Sequence, residues 1–298
     1  TNAITGLATA YMDSIPLIVI SGQVQSHLIG TDSFQETDMI GISRPIVKHS
    51  FMVQDAEDIP RIIQEAFYIA TSGRPGPVVI DIPKDKTDPS KLYQYKRMKQ
   101  VTLRSYQPRV LPHPGQIKKA SKNLLSAERP VIYAGGGVIL GDAHKELIAL
   151  NKILKAPVTN TLMGLGAYPA SDKHFMGMLG MHGTYQANMA MHNADVILAI
   201  GARFDDRITN TPSLFAPKAR IIHIDVDPAS ISKIINADIP IVGQVKESLA
   251  ALTKEIKRSK LKIDSEALDS WSTQISSWRK KHGLNHELYL QKTKSKMI

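Results

Sequence analysis

The fold is decided by the stretch Ala194-Asp195-Val196-Ile197-Leu198-Ala199-Ile200-Gly201-Ala202-Arg203-Phe204-Asp205-Asp206-Arg207. Its apolar run from Val196 to Ile200 is short, unbroken and rich in branched residues, which is typical of a strand buried on both faces. Gly201 and Ala202 are small enough for a ligand to approach the backbone closely. Two arginines and two aspartates then follow within five positions. Clustered charge after a buried strand predicts a site at the carboxyl edge of an open parallel sheet. The alternative is a solvated loop whose Arg and Asp side chains pair with each other.

The composition excludes several classes of protein. The 298 residues predict about two domains. The chain has no cysteine, which excludes disulfides and thiolate metal sites, and no His/Glu cluster has the spacing of a zinc site. Because no apolar run approaches about 20 residues, we expect a soluble protein without a membrane partner. The absence of cysteine suits a reducing compartment, and the expected location is cytoplasmic.

The net charge of +10 invites a nucleic-acid hypothesis, but its distribution argues against one. Residues 253–298 alone hold eleven Lys or Arg against five Asp or Glu. Aromatic residues are not interleaved with these basic residues, as a nucleic-acid groove would require. The pattern favours a solvated helical tail, and we predict no nucleic-acid partner.

Apolar periodicity predicts two α/β units. In the first unit the predicted elements are helix 1–13, buried strand 17–20, strand 46–53, helix 55–73 and strand 78–82. A proline-rich stretch, 86–115, predicts a linker. In the second unit the predicted helices are 117–125, 143–154 and 185–193, and the predicted strands are 131–134, 157–159, 196–200, 221–225 and 241–242. This alternation predicts doubly wound parallel sheets.

Two segments of the second unit lack a strand pattern. A long loop rich in Gly and Met is predicted over 161–184, and its methionines at 163, 176, 178 and 181 favour a deformable apolar lining for a flat ring over core filler. The tail, 245–291, is predicted to be helical, with Trp271 and Trp278 packing in the core or between domains. His223 is predicted to be a packed strand residue.

Predicted strand ends carry residues suited to a nucleotide. Gly135-Gly136-Gly137 follows a strand, but Leu140 stands where the G-x-G-x-x-G fingerprint requires its third glycine. The triplet alone is therefore also typical of a tight strand-to-helix turn. Repetition favours the nucleotide, because Thr161, Arg203 and Asp225 also follow strands. Glycine amides and an arginine suit a pyrophosphate, and a strand-end carboxylate suits ribose hydroxyls.

Six longer motifs carry a resemblance to a known family. They are residues 1–6 (TNAITG), 21–24 (SGQV), 30–36 (GTDSFQE), 73–77 (GRPGP), 179–183 (LGMHG) and 201–207 (GARFDDR). Together they resemble the large, catalytic subunit of acetohydroxyacid synthase, also called acetolactate synthase. The resemblance covers almost the full chain and is strongest over 1–85 and 160–245.

The resemblance implies a thiamine-diphosphate-dependent enzyme with three α/β domains. In this chain it implies the C-terminal part of a pyrimidine-binding domain (1–88), a linker (89–114), a Rossmann-like, FAD-binding middle domain (115–255) and a helical linker (256–298) toward a diphosphate-binding domain. Because Thr1 is not an initiator Met and the chain opens in mid-pattern, we expect an internal fragment. The activating glutamate and the magnesium motif would lie outside it, so the fragment alone is expected to be inactive.

The resemblance also assigns roles by position. The residues implied to lie near the reacting carbons are Phe34, Gln35, Met181 and Arg207. Those implied to line a channel for substrate and herbicidal inhibitors are Lys84, Met181, Asp206 and Arg207. The implied FAD contacts are Arg74, Gly135, Gly136, Gly137, Thr161, Leu162, Met181, His182, Gly183, Gly201, Ala202, Arg203, Asp205, Asp225 and Val226. Gln25 stands where relatives usually carry Pro, which leaves inhibitor sensitivity open.

The implied reaction decarboxylates pyruvate and joins the hydroxyethyl unit to a second 2-oxoacid, pyruvate or 2-oxobutanoate. It is the first common step of valine, leucine and isoleucine biosynthesis. Arg207 would hold the acceptor carboxylate in its guanidinium fork, and Phe34 would form a dry wall beside the reacting carbon.

The implied cofactors are thiamine diphosphate, Mg2+ and FAD, the last without a redox role in the overall reaction. The implied partners are further copies of the chain, as a homodimer or higher oligomer, and a regulatory small subunit. One alternative is a relative of other specificity, such as glyoxylate carboligase or a pyruvate oxidase, although an oxidase has no acceptor for Arg207 to hold. The other is a non-catalytic nucleotide-binding scaffold.

Overall fold

The computed structural model describes residues 1–95, 98–108 and 111–283. The chain divides into two compact units, Thr1–Pro108 and Arg109–Ile298. Each unit contains one sheet, and every strand pairing in the described residues is parallel. The predicted α/β class with two parallel sheets is therefore confirmed. Among these residues, no helix has both the length and the apolar character needed to cross a membrane.

The first unit is a three-stranded sheet with the order β1-β3-β2. Its elements are α1 (Ile4–Met12), β1 (Leu17–Gln23), α2 (Met39–Ser43), β2 (His49–Met52), α3 (Ile59–Thr71) and β3 (Pro77–Pro83). Val78, Val79 and Ile80 of the central strand are fully buried, and Ile62 and Ala66 of α3 pack in the same core as Val78 and Ile80. The predicted strand 78–82 thus forms the centre of this unit.

The prediction that strand 17–20 is buried is wrong. It forms part of β1, where Ile20 is 59% exposed and Leu17 is also exposed. These side chains are exposed because β1 is the edge strand of the described sheet and pairs with β3 alone. An apolar run therefore indicated a strand here, but not how many neighbours cover it.

The second unit is a six-stranded sheet with the order β6-β5-β4-β7-β8-β9. Its strands are β4 (Pro130–Ala134), β5 (Val158–Asn160), β6 (Phe175–Met178), β7 (Val196–Ile200), β8 (Arg220–Asp225) and β9 (Ile239–Val242). Its helices are α4 (Pro114–Leu125), α5 (Gly136–Leu140), α6 (His144–Leu154), α7 (Tyr185–Asn193), α8 (Asp206–Thr209), α9 (Val245–Arg258) and α10 (Ser265–His282). Numbered within this unit, the strand order is 3-2-1-4-5-6, which places a topological switch point between β4 and β7.

The decisive strand, β7, is buried on both faces, as predicted. Ile197 packs in one apolar cluster with Tyr133 and Trp271, whereas Leu198 packs in the other with Leu147. Trp271 is almost fully buried, and its indole N–H donates to the carbonyl of Pro130 at 3.2 Å. The prediction that this tryptophan packs in the core is confirmed.

Two sequence predictions differ from the observed second unit. The loop predicted over 161–184 contains β6, a short edge strand with Gly177 at φ +88° and an irregular register against β5. Its glycines and methionines hid the apolar signal of a strand. The predicted helical tail is broken between α9 and α10, and its residues 284–291 lie outside the described part of the chain.

Candidate functional site

The carboxyl ends of the central strands in the second unit are joined by backbone hydrogen bonds. Because these bonds connect the residues that immediately follow β4, β5 and β7, the three strand-end turns lie side by side at the switch point. The N–H groups donate from Thr161 to Ala134 O (3.0 Å), from Gly135 to Ile200 O (2.8 Å) and from Gly201 to Ile224 O (2.8 Å).

The glycine triplet makes a close crossing of two turns. A Cβ on Gly135 would lie 2.1 Å from the carbonyl oxygen of Gly201, and one on Gly201 would lie 2.5 Å from the Cα of Gly137. Gly201 also has φ +55°, a conformation that favours glycine. The N–H of Gly137 donates to Gly201 O at 3.1 Å. The interpretation that these amides bind a pyrophosphate therefore does not hold for Gly135 and Gly137, whose N–H groups are engaged within the protein.

Exposed apolar side chains are found in the turns after β5 and β6, and Met163 is the one that lies against the glycine triplet. Met181 is 63% exposed, and Leu162 and Met163 are also exposed. Thr161 has a structural role as well, because its hydroxyl accepts the N–H of Gly164 at 2.9 Å and caps the turn that carries Leu162. Met176, by contrast, is 1% exposed and belongs to the core, so its predicted role in an apolar lining is wrong.

In the charged segment after β7, residues 203–207, the side chains differ in exposure and in bonding. Asp205 caps α8 by accepting the N–H of Arg207 at 2.9 Å, and this bond lowers the pKa of the Asp205 carboxyl. The side chains of Asp206 and Arg207 point into solvent, with Arg207 71% exposed and the pair 3.9 Å apart. Met181 N–H donates to Arg207 O at 3.0 Å. The structure therefore brings together Met181 and Arg207, which the resemblance assigns to one channel.

Aromatic side chains pack around Phe204, which lies within this charged segment. Phe204 is buried in the left-handed conformation, at φ +56°, and its ring centroid lies 5.6 Å from that of Tyr133, 5.8 Å from that of Phe215 and 5.2 Å from that of His223. His223 is fully buried, which confirms the prediction of a packed strand residue. Its Nε2 lies 2.8 Å from Ala202 O, and burial lowers the pKa of His223 to about 4. The neutral imidazole thus donates Nε2–H to the carbonyl that precedes Arg203.

Acid should destabilise the protein through His223. Between its unperturbed pKa of 6.5 and the folded value of about 4, the unfolded chain binds a proton that the folded chain does not. The free energy of unfolding should therefore fall as pH falls through this window, by up to about 3 kcal/mol. Urea unfolding at several pH values measures this, and His223→Gln, which keeps an N–H donor, should flatten the profile. The exposed His192→Gln should keep the wild-type slope, and an unchanged slope in His223→Gln would contradict the assignment.

The remaining predicted residues of the second unit lie at or near its strand ends. Asp225 ends β8, is nearly buried and accepts the N–H of Asp227 at 2.8 Å; Val226 follows it, half-buried. His182 is exposed and Gly183 half-buried beside the exposed Met181. Within the described residues, no group of three or more His, Cys, Asp or Glu side chains is arranged to hold a metal ion.

The predicted residues of the first unit separate into two places. Phe34 is 88% exposed and Gln35 has φ +63°, both on the loop that follows β1. Lys84 follows the carboxyl end of β3, the neighbouring strand, so it lies at the same sheet edge where that loop begins. Arg74 instead donates to Ser14 Oγ at 2.9 Å and to Tyr11 O at 3.3 Å, at the end of α1.

Sequence reasoning missed Asp81, which is fully buried on β3. Its carboxylate accepts hydrogen bonds from Ser21 and Gln23 at the carboxyl end of β1. The available signal was a carboxylate inside the otherwise apolar run 77–83, since a buried charge is retained only with hydrogen-bonding partners.

With this geometry in hand, comparisons with known proteins place the chain. Its two parallel sheets, one of them doubly wound, define an α/β protein with ligand-type residues at its strand ends. The family described as "Thiamine pyrophosphate enzyme, central domain" matches residues 117–252, and "Thiamine pyrophosphate enzyme, N-terminal TPP binding domain" matches residues 1–42.

Curated relatives match along the whole chain. The acetolactate synthase isozyme 3 large subunit of Escherichia coli is 50% identical over 298 residues, covering 100% of this chain and 52% of the relative. The acetolactate synthase large subunit of Haemophilus influenzae is 54% identical over 287 residues, covering 96% and 50%. The probable acetolactate synthase large subunit of Methanocaldococcus jannaschii is 47% identical over 281 residues, covering 94% and 47%. The chain belongs to the acetolactate synthase large-subunit family of thiamine pyrophosphate enzymes, and it spans about half the length of these relatives.

Proposed function

We propose that this chain is part of an acetolactate synthase large subunit that decarboxylates pyruvate and joins the remaining two-carbon unit to pyruvate or 2-oxobutanoate. The observation that carries the proposal is the bond from Met181 N–H to Arg207 O. It sets the 179–183 motif against the 201–207 motif at the carboxyl edge of a doubly wound sheet, where α/β proteins bind ligands. The pathway is branched-chain amino-acid biosynthesis.

The proposed roles follow from exposure and chemistry. The guanidinium of Arg207 projects into solvent and offers a bidentate fork to the carboxylate of the acceptor 2-oxoacid. Phe34 supplies an apolar surface that excludes water, and Gln35 lies beside it. Met181 and Asp206, both of the second unit, line the approach to Arg207. Lys84 keeps the channel role that the resemblance assigns to it. Thiamine diphosphate, held with Mg2+, supplies the nucleophilic carbon when bound.

The residues at the switch point fit a flavin. The glycine crossing keeps side chains away from the strand ends, because a Cβ on Gly135 or Gly201 would strike backbone atoms. Exposed Leu162 and Met181 give an apolar surface for a flat ring, while Arg203 supplies a cation for a pyrophosphate. The proposal keeps as FAD contacts the residues of this unit that the resemblance assigns, and treats Asp225 as the acceptor for ribose hydroxyls. The FAD role that the resemblance assigns to Arg74 stays a prediction.

Replacing Arg203 should weaken FAD binding by about tenfold or more, because a charge-assisted hydrogen bond contributes about 1.5–3 kcal/mol. The measurement is a flavin fluorescence titration of the full-length Arg203→Gln enzyme after removal of FAD. Arg220→Gln is the matched control, since Arg220 is exposed at the opposite, amino end of β8. Equal affinities in the two variants would argue against Arg203 as a phosphate ligand.

We also propose the domain boundaries, the oligomeric form and the location of the protein. The domain boundaries are 1–88, 89–114, 115–255 and 256–298, and the working form is a homodimer or higher oligomer with a regulatory small subunit in the cytoplasm. The test of the function is acetolactate formation from pyruvate by the full-length enzyme containing this chain, with thiamine diphosphate, Mg2+ and FAD. Pyruvate consumption without acetolactate would favour the oxidase alternative.

A further inference from the structure

A partly buried hydrogen-bond network centred on Asp81 joins the sheet to the loop that carries Phe34 and Gln35. Asp81 is fully buried at the carboxyl end of β3. Its Oδ1 accepts the hydroxyl of Ser21 at 2.6 Å, and its Oδ2 accepts the side-chain amide of Gln23 at 3.1 Å. Both donors lie on β1, so the carboxylate is held by the neighbouring strand.

Gln23 carries this network from the sheet to the far end of the loop. Its Nε2 also donates to the carbonyl of Thr37 at 2.7 Å, fourteen residues further along the chain. Its Oε1 accepts the N–H of Val24 at 2.9 Å, which fixes the orientation of the amide. One side chain therefore joins the two ends of the loop, residues 24–38, and Asp81 accepts its second N–H.

Two further carboxylates shape the inside of the loop. Asp85 accepts the N–H of Ser26 at 2.7 Å and its hydroxyl as well, and the backbone bond lowers the pKa of Asp85 far below its usual range. Glu36 accepts the N–H groups of Gly30 and Ser33, which lower the pKa of Glu36. Both groups are anionic at neutral pH, so the loop has a defined shape although Phe34 at its tip is exposed.

We propose that Gln23 and Asp81 are positioning residues that close the loop presenting Phe34 and Gln35 to the reacting groups. This inference rests on the proposed function, because it takes those two residues to act in the reaction. The closure depends on a directional bond from the Gln23 amide to Thr37 O, held by Asp81. The Ser21 bond to Asp81 stays within the sheet and does not reach the loop.

This difference between the two partners of Asp81 supplies the experiment. In the full-length enzyme, Gln23→Met keeps the side-chain length but removes both N–H donors. Hydrogen exchange of the amides in 24–38 should speed up about tenfold or more, which corresponds to about 1.4 kcal/mol per decade. The exchange of α3 should not change, and kcat should fall about tenfold, because the loop no longer holds its residues in place.

Ser21→Ala is the matched control, since it also removes a partner of Asp81. It should lower the unfolding midpoint without speeding exchange in 24–38 or lowering kcat. Gln23→Leu, which also lacks the N–H donors and adds no charge beside Asp81, serves if Gln23→Met does not fold.

Unchanged loop exchange in the Gln23 variants, or equal effects in Ser21→Ala, would overturn the positioning role. Faster loop exchange with unchanged kcat would support the closure and instead contradict the proposed roles of Phe34 and Gln35.

Discussion

An Arg207→Ala enzyme should form acetolactate about 10- to 150-fold less efficiently, because a guanidinium–carboxylate hydrogen bond contributes about 1.5–3 kcal/mol. The loss should fall on the acceptor 2-oxoacid. Pyruvate should still be consumed, and acetaldehyde or its oxidation products should rise at the expense of acetolactate. The measurement is product partitioning by the full-length variant at saturating FAD.

Two variants sharpen this test. Arg207→Lys keeps the charge but loses the bidentate fork, so it should recover the activity only in part. Arg220→Ala removes another exposed arginine of the same unit, at the amino end of β8 and so at the opposite edge of the sheet, and should behave as wild type. An Arg207→Ala enzyme that makes acetolactate at wild-type efficiency, or that loses flavin instead, would show that Arg207 does not hold the acceptor.

A Gly135→Ala substitution should destabilise the protein by about 3 kcal/mol or more, at the upper end of overpacking effects. The new Cβ would lie 2.1 Å from the carbonyl oxygen and 2.7 Å from the carbonyl carbon of Gly201. Both are backbone atoms in the turn after the central strand, so no rotamer change relieves the clash. The free energy of unfolding from urea denaturation measures the effect.

The neighbouring glycine supplies the control. A Cβ on Gly136 would lie 3.1 Å from the Cβ and 3.3 Å from the carbonyl oxygen of Met163, contacts that a small shift of this turn relieves, whereas the 2.1 Å contact of Gly135 cannot be relieved in this way. Gly136→Ala should therefore cost about 1 kcal/mol or less, well below Gly135→Ala. Equal losses in the two variants would mean that the triplet tolerates a side chain equally at both positions, contrary to the crossing.

Strands were predictable from the sequence where other elements cover both faces of the sheet, as they do for β7. Five consecutive apolar residues from Val196 to Ile200 indicated the central strand, since a run without polar positions suits only the middle of a covered parallel sheet. The same reasoning failed for Ile20, because its exposure depends on how many strands flank β1. Phe175-Met176-Gly177-Met178 was missed because a glycine with positive φ interrupts the pattern of an edge strand.

The candidate site was predictable in its chemistry more than in its contacts. Residue types alone predicted a ligand site in the segments after β4 and β7, and this remains a prediction. That Gly135 rests on Gly201 depends on the register between the two strands, which pairs Ala134 with Ile200 and which no local pattern specifies. Buried partners of distant residues, such as Asp81 with Gln23, were inaccessible for the same reason.

The contact of Gly137 with Gly201 also limits which residues at the carboxyl ends of the strands in the second unit can move. Two main chains touch there with no side chain between them, so no change of rotamer can make room at this point. Leu162, in the turn that follows β5, and Met181, which bonds to Arg207 O, are exposed and free to change rotamer. We therefore expect that a bulkier or reshaped flavin would be accommodated by movement of Leu162 and Met181 and not by the backbone of Gly137 and Gly201. Selection for altered ligand preference should accumulate substitutions in 161–165 and 179–183 while both glycines persist.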